Sequence, residues 1–294
     1  MSTLLLLTIT GLGLGAMYFL IASGLSLIYG LMGVLNYAHG AFLTVGAYTT
    51  WWVETKLGDF SSVGVRFLVA ALAGLAVGAV IAALVELLLI RPLYQRHIEQ
   101  VLVTVGLALA TTALVRAIWG QDTRALEIPS WLGRTTTIGG ASVPNDRFVE
   151  IAVALIVLLA LEAFLHRTRY GLIIRAGVEN RAMVTALGID VRRAFTLVFA
   201  IGGVAAALAG VLSGVYFGSV DPGRGTSLLI FAFIVVVIGG LGSLRGSAVA
   251  AVIVGLLQQY ANYYASSGVG DLAVMLLLAL VLLARPQGLS GSFA

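Results

Sequence analysis

His166-Arg167-Thr168-Arg169-Tyr170-Gly171-Leu172-Ile173-Ile174-Arg175, continuing through Glu179-Asn180-Arg181 to Gly188-Ile189-Asp190-Val191-Arg192-Arg193, is the most charged stretch of an otherwise apolar chain. It separates two runs long enough to cross a membrane, Phe148 to Leu165 and Phe195 to Ser219. Six arginines stand in it against Glu179 and Asp190. Loops rich in arginine stay on the cytoplasmic side, so the stretch sets the orientation of both flanking runs. Its centre reads as a short amphipathic helix. Ala182, Met183, Ala186 and Leu187 form an apolar stripe beside the polar Glu179, Asn180 and Arg181, and Gly188 stands where a left-handed cap would end the turn. A solvated loop has no need of that stripe. Either it plugs into a groove on a cytosolic partner, or it lies on anionic lipid as a basic amphipathic helix.

The rest of the chain supplies the membrane. Its 294 residues are 60% hydrophobic and only 10% charged, with a mean hydropathy of +1.05, far from the roughly 25% charged of soluble domains. Lipid rewards segments that satisfy their own backbone hydrogen bonds, and the ten-residue alternation of a membrane barrel does not dominate. The expected fold class is all-α, a polytopic helical membrane protein forming one transmembrane domain over 1–294. The net charge of +4 comes from arginines clustered in loops, which reports topology and not nucleic-acid binding. With no cysteine, disulfides and thiolate metal sites are excluded. No Lys or Arg precedes the first apolar run, so Leu4 onward is expected to be a retained span and not a cleaved leader.

Thr3 to Tyr29 is the first span, and Gly11-xxx-Gly15 within it recurs as Gly74-xxx-Gly78, Gly210-xxx-Gly214 and Gly242-xxx-Gly246. This small-residue spacing lets helices approach closely in lipid. Gly30-Leu31-Met32-Gly33-Val34-Leu35-Asn36-Tyr37-Ala38-His39-Gly40 then breaks the apolar sequence with an amide, a phenol and an imidazole. Asn36 either caps a helix starting at Tyr37 or lines a cavity, since broken helices in lipid face protein or a water-filled path. Glu54 to Arg66 reads as a polar turn and Phe67 to Ile90 as the next span, closing on Glu86 near Arg91, an interfacial acid. After Ile98 to Trp119, residues 120–147 are the longest polar segment, expected outside the cytoplasm. Arg124, Glu127, Trp131 and Arg134 make it either a docking surface or an interfacial loop. A second break, Gly239-Gly240-Leu241-Gly242-Ser243, divides Leu228–Ile238 from Ala248–Tyr264, as a re-entrant hairpin or as two tilted helices. Asp271 is read as the cap of the last helix. Depending on how the breaks are counted, about eight transmembrane helices result, one or two of them broken or re-entrant.

Several chemistries are missing. The sole lysine, Lys56, lies between Thr55 and Leu57, so no P-loop exists. Neither HExxH nor Gly-x-Ser-x-Gly occurs, and His39, His97 and His166 are not at ligand spacing. No catalytic residue, metal site or cofactor is expected. Glu86, Glu150 and Glu162 sit towards segment ends, whereas a proton- or sodium-driven carrier usually buries an acid at the midplane. What remains is a transmembrane path whose energy arrives from outside the chain.

Four separated motifs carry a resemblance that spans essentially the whole chain. Gly30-Leu-Met-Gly-Val-Leu-Asn-Tyr-Ala-His-Gly40 with Gly46-Ala-Tyr48, Glu179-Asn-Arg-Ala-Met-Val-Thr-Ala-Leu-Gly-Ile-Asp190, Ile238-Gly-Gly-Leu-Gly-Ser243 and Arg285-Pro-Gln-Gly-Leu289 resemble the permease subunits of bacterial branched-chain amino-acid ABC importers, specifically the smaller of the two. The resemblance implies a multi-pass subunit of the bacterial inner membrane. Its implied partners are a related second permease, two cytosolic ATP-binding subunits and a periplasmic binding protein that delivers leucine, isoleucine or valine. It also implies a cytoplasmic coupling loop, 166–194, that contacts an ATPase through Glu179, Asn180, Ala182, Met183, Ala186, Leu187 and Gly188. Two departures from the family pattern are Glu179-Asn180 in place of Glu-Ala-Ala and the lack of a second basic residue after Pro286. Urea and short-amide permeases share the Asn-x-Ala-His-Gly and Gly-Gly-x-Gly-Ser features, and a passive channel or an intramembrane enzyme are the readings from other classes. Asn36, Tyr37, His39 and Tyr48 on one break and Ser243 on the other are the expected lining of the path, with Phe42 or Leu43 to meet a branched side chain.

Overall fold

The computed structural model describes residues 2–58, 62–179, 181–186, 188 and 190–290, with backbone alone at 178, 179, 181, 182 and 186. Its helices are α1 (Ser2–Met32), α2 (His39–Leu57), α3 (Val63–Val85), α4 (His97–Trp119), α5 (Asn145–Arg167), α6 (Arg169–Glu179), α7 (Arg181–Ala186), α8 (Val191–Phe217), α9 (Arg224–Gly239), α10 (Leu244–Tyr264) and α11 (Val269–Ala284). The chain is an all-α polytopic membrane protein. Four short strands lie at the end of the bundle opposite the arginine-rich stretch. β1 (Arg124–Ala125) pairs antiparallel with β4 (Ser219–Val220), and β2 (Thr135–Ile138) with β3 (Ala141–Pro144). The turn between β2 and β3 is Gly139-Gly140, both at positive φ, the conformation that a two-residue hairpin needs.

α1 is the axis. It is apolar on every side, and a helix of that kind belongs inside; Met17, Leu20, Ile21, Leu25 and Ile28 are fully buried against α5, α8, α9 and α10. Its 31 residues rise roughly 46 Å, more than the hydrocarbon thickness of about 30 Å. The outer helices α3, α4 and α5 turn Leu68, Leu72, Leu102, Leu109 and Leu159 outward, each at least 57% exposed. In water that belt would be a liability; against acyl chains it carries no penalty.

Among the described residues five helices are long and apolar enough to cross a membrane alone, namely α1, α3 with its extension, α4, α5 and α8, and the pair α9 and α10, bent by 118°, makes a sixth crossing when taken together. α2, with its polar threonines, and α11, with 16 residues, run alongside them, which brings the total to the expected eight or so. The second break is the turn between α9 and α10. α10 runs back along α1 from Gly242, against Gly30, to Tyr260, whose hydroxyl pairs with Thr8 at 2.8 Å.

Three local expectations are corrected. The helix after the first break starts at His39, not at Tyr37. α3 begins at Val63, before the expected Phe67, and its last turn up to the expected end at Ile90 is a π turn (Glu86–Ile90), followed by a 3-10 turn (Arg91–Leu93), because Pro92 lacks the N–H that an α-helical bond would use. Asp271 lies in the first turn of α11 but accepts from Gln258 Nε2 at 2.6 Å, while Gly268 occupies the cap position.

The repeated glycines act where helices touch. A Cβ added to Gly255 would sit 2.4 Å from Gly15 N and 2.5 Å from Gly11 O, so α10 and α1 meet backbone to backbone. One on Gly203 would sit 2.7 Å from Gly78 O, which seats α8 on α3 in the same way. Overpacking a close contact costs typically ~1–3 kcal/mol, and more where the neighbour is backbone. Gly255→Leu is therefore expected to abolish the monodisperse peak in detergent size-exclusion chromatography or to lower the melting midpoint by several degrees. Gly106→Leu, where nothing lies within 4 Å, is expected to leave both unchanged.

Candidate functional site

The first break is built around buried polar groups. Gly33, at φ +65°, ends α1, and its N–H reaches back to Tyr29 O at 2.8 Å. Asn36 is fully buried; its Oδ1 accepts from Ala38 N–H at 3.0 Å, and its carbonyl accepts from His39 N–H at 3.3 Å. Asn36 thus braces the turn before α2 and is not a helix N-cap. His39, also fully buried, bonds through Nε2 to Ile21 O at 3.0 Å, in the space that Gly24 leaves by having no Cβ. Tyr37 packs on Phe233 of α9, ring centroids 5.0 Å apart. Asn36 Nδ2 and His39 Nδ1 are buried without a partner among the described residues. Phe42 and Leu43, one turn further on, are each 1% exposed.

The second break meets the first. A Cβ on Gly30 would lie 2.7 Å from Gly242 Cα. Ser243 caps α10 by accepting from Gly246 N–H at 3.0 Å. The carboxyl-terminal tail closes over the end of α9, Leu289 N–H donating to Ile238 O at 2.8 Å and Ser290 N–H to Gly239 O at 3.1 Å. Three motifs singled out in the sequence therefore converge on one junction. Tyr48 does not belong to it. Nine residues beyond His39, about 13 Å along the helix, it packs with Trp51, Trp119, Val115 and Val220 under the β1–β4 pair, its hydroxyl without a hydrogen-bond partner among the described residues.

The arginine-rich stretch folds as two helices, not one. α6 turns sharply off α5, where Thr168 Oγ1 donates to Phe164 O at 2.6 Å and accepts from Gly171 N–H at 3.0 Å. Gly171 is needed there, since a Cβ would meet Phe164 O at 2.3 Å. Ile174 of α6 is fully buried among Ile28, Ala194 and Val198. α7 leans on α8 through Val184, 6% exposed, which packs with Val191 and Phe195. Met183 points outward at 62% exposure. Gly188 has φ +79° and donates to Thr185 O at 3.0 Å, and Asp190 caps α8 by accepting from Arg192 N–H at 3.0 Å. Asn180 and Leu187 lie outside the described residues, and Glu179, Ala182 and Ala186 are described in backbone only.

The four loop residues divide. Arg124 donates to Trp119 O at 2.6 Å and stands 5.8 Å from the Trp51 ring, and Glu127 pairs with Arg66. Trp131, 54% exposed, and Arg134 remain on the surface.

Glu86, read in the sequence as an interfacial acid near Arg91, is instead buried within a polar cluster, and a second such cluster went unread. Glu86, fully buried, accepts from Arg91 at 3.1 and 3.3 Å, from Thr196 Oγ1 at 2.7 Å and from Tyr94, which locks α3 to α8 at the arginine-rich end. The Glu86 and Arg91 spacing was legible; Thr196, far along the chain, was not. At the opposite end Arg147 pairs with Asp146 at 3.0 Å, lies 3.6 Å from the fully buried Glu150 and covers the Tyr216 ring at 3.3 Å.

The profile of the family described as branched-chain amino acid transport system / permease component matches residues 7–285. The chain belongs to that family. Among its relatives are the high-affinity branched-chain amino acid transport system permease protein LivH of Salmonella typhimurium, 31% identical, with 96% of this chain and 93% of that one covered, and BraD of Pseudomonas aeruginosa, 30% identical, with 96% and 94% covered. The fructose import permease protein FruF of Bifidobacterium longum is 31% identical over 85% of this chain and 69% of its own length. In this permease the matched region takes in both breaks and the α6–α7 stretch.

Stripping Arg91 would strand a buried carboxylate, and breaking such a pair costs about 3–5 kcal/mol. Arg91→Ala is expected to lower the melting midpoint of the solubilised permease much more than Glu86→Gln, which removes the charge together with its need for a partner. Equal midpoints for the two variants would show that the lock is not ionic.

Proposed function

We infer that this permease is the membrane subunit of an ABC importer in the bacterial inner membrane, forming with a related second permease the path for leucine, isoleucine or valine. A periplasmic binding protein delivers the substrate, and two cytosolic ATPases supply the energy. The positive-inside bias assigns the arginine-rich end to the cytoplasm and residues 120–147 to the periplasm. The chain itself is non-catalytic.

One observation carries the reading: the stretch that would meet the ATPase is fastened to both helices it would have to move. α6 is anchored to α5 by Thr168 and Gly171, and α7 to α8 by Val184, while Met183 faces outward. A push on α7 is passed to α8 as rigid-body tilt, because packed interfaces shift between arrangements and do not stretch. Access then alternates around the junction of the two breaks. There Asn36 and His39 offer buried polar atoms to a desolvated zwitterion, and Phe42 and Leu43 offer apolar surface to its side chain. Tyr48 and Ser243 complete the proposed lining, the former at the periplasmic mouth. Trp131 and Arg134 are the proposed contacts of the binding protein, with Arg124 and Glu127 holding the loop in shape. Fructose named for one relative makes the substrate the part that most needs a direct binding measurement on the delivery protein.

Met183→Asp tests the coupling. The chain should insert normally, because Met183 is outside the bundle core, yet ATP-dependent uptake should fall by at least about tenfold as a charge enters an apolar groove, and the ATPase should no longer copurify. Undiminished uptake with the ATPase still attached would refute the assignment of α7.

A further inference from the structure

α5 and α10 stand apart over α1, and the seam between them holds two cavities in line. The first, about 170 Å³, is lined by Gly15, Phe19, Ala154, Leu155, Ala248 and Val252 and is almost wholly apolar. The second, about 430 Å³, lies nearer the arginine-rich end and is lined by Leu159, Glu162, Ala163, His166, Arg167 and Arg245. The residues of α5 that they share out, 151, 154, 155, 159, 162, 163 and 166, follow one face at helical spacing. On α10, residues 245, 248 and 252 do the same. The two cavities are thus parts of one groove.

The dimensions suit one kind of occupant. From Ile151 to Leu159 the apolar part runs about 12 Å, close to the ~15 Å of hydrocarbon in a single leaflet. Where it ends, the charge begins. Arg245 gives Glu162 a two-pronged hydrogen bond through Nε and Nη2, at 3.0 Å each, which fixes the guanidinium and leaves Nη1 free to donate elsewhere. His166 stands 3.3 Å from the same carboxylate. Arg167 is exposed and pairs with no carboxylate among the described residues. One acid against two arginines leaves the pocket positive where the apolar part of the groove ends.

We propose that the α5–α10 seam binds one anionic phospholipid, its phosphate held by Arg167 and Arg245 and an acyl chain laid over Leu159, Leu155, Ala154 and Val252 against the floor that Gly15 and Phe19 of α1 form. Basic pockets between membrane helices on the cytoplasmic side recognise acidic headgroups in this way. The inference needs only the membrane fold and stands apart from the transport reading.

The test is native mass spectrometry of the full chain in mild detergent, titrated with phosphatidylglycerol and with phosphatidylcholine of identical acyl chains. One phosphatidylglycerol should bind at least about tenfold more tightly than phosphatidylcholine, as expected for two arginines at roughly 1 kcal/mol each. Arg167→Gln should cut that preference to about threefold or less, and Ala248→Phe, which fills the groove, should weaken both lipids alike. Because the chain has no cysteine, Leu159→Cys carrying a photoactivated probe reports the occupant in intact membranes. A lipid adduct supports the site. Equal affinity for the two lipids, a preference untouched by Arg167→Gln, or an adduct to a second polypeptide overturns it.

Discussion

A helix end buried in protein exposes carbonyls and N–H groups that no water can satisfy, each at a cost of several kcal/mol. This chain buries two such ends against each other and supplies the partners from its own length. Asn36 takes the amide of Ala38 beside the first break; Ser243 takes that of Gly246 beside the second. The carbonyls left at the end of α9 are met by Leu289 and Ser290, so the carboxyl-terminal tail is a structural part of the junction. Local hydrogen bonding alone would not bring the two breaks together. The contact of Gly30 on Gly242 does that, since any larger side chain at either position would collide with backbone.

The same reasoning governs the bundle. Between helices in lipid no hydrophobic drive operates, so cohesion comes from close van der Waals approach and a few buried polar contacts. The glycine seams of α1 on α10 and of α3 on α8 supply the first. The charged contacts lie towards the two ends: Glu86 with Arg91, Tyr94 and Thr196 at one, Arg147 with Asp146 and Tyr216 at the other. Between them buried hydroxyls bond locally or in pairs, as Ser26 with Ser247 at 2.7 Å, while in the broken segment Asn36 Nδ2 and His39 Nδ1 have no partner among the described residues. Buried groups without a hydrogen-bond partner are costly; Asn36 and His39 share that state with Tyr48, Glu54 and Glu150 among the described residues, and in the proposed path they are the ones beside the break.

What could be read from the sequence followed local rules. The all-α class, the close helix seams and the two breaks depend on composition and on spacings of a few residues, and these were legible. The facing of α7 was not. Its apolar stripe included Met183, which is exposed, whereas Val184, left out of the stripe, is buried against α8 and anchors the helix. A six-residue helix is oriented by what it packs on, here Val191 and Phe195, and not by its own periodicity. Long-range partners were equally silent. Nothing local ties Arg147 to Tyr216 or Glu86 to Thr196, and Arg124 and Glu127, conspicuous as charged loop residues, are occupied by Trp119 O and Arg66.

These placements bear on how a push from the cytoplasm would travel. α5 and α8 are joined at the far end by the Arg147 guanidinium lying on Tyr216, with Gly13 of α1 making room for it. At the arginine-rich end α5 carries α6, and α8 takes both α7, through Val184, and α6, through Ile174. Two levers joined at one end and pushed at the other open like a hinge, with greatest displacement near the driven ends. The junction of the two breaks lies towards that driven side, beside Leu27, Ile28 and Leu244. In the proposed cycle a small tilt of α8 would therefore be felt first at His39 and Asn36, the groups whose hydrogen bonding is incomplete and which lose least by changing partner. Tyr48, near the pivot, would move little, which suits a fixed periplasmic mouth better than a gate.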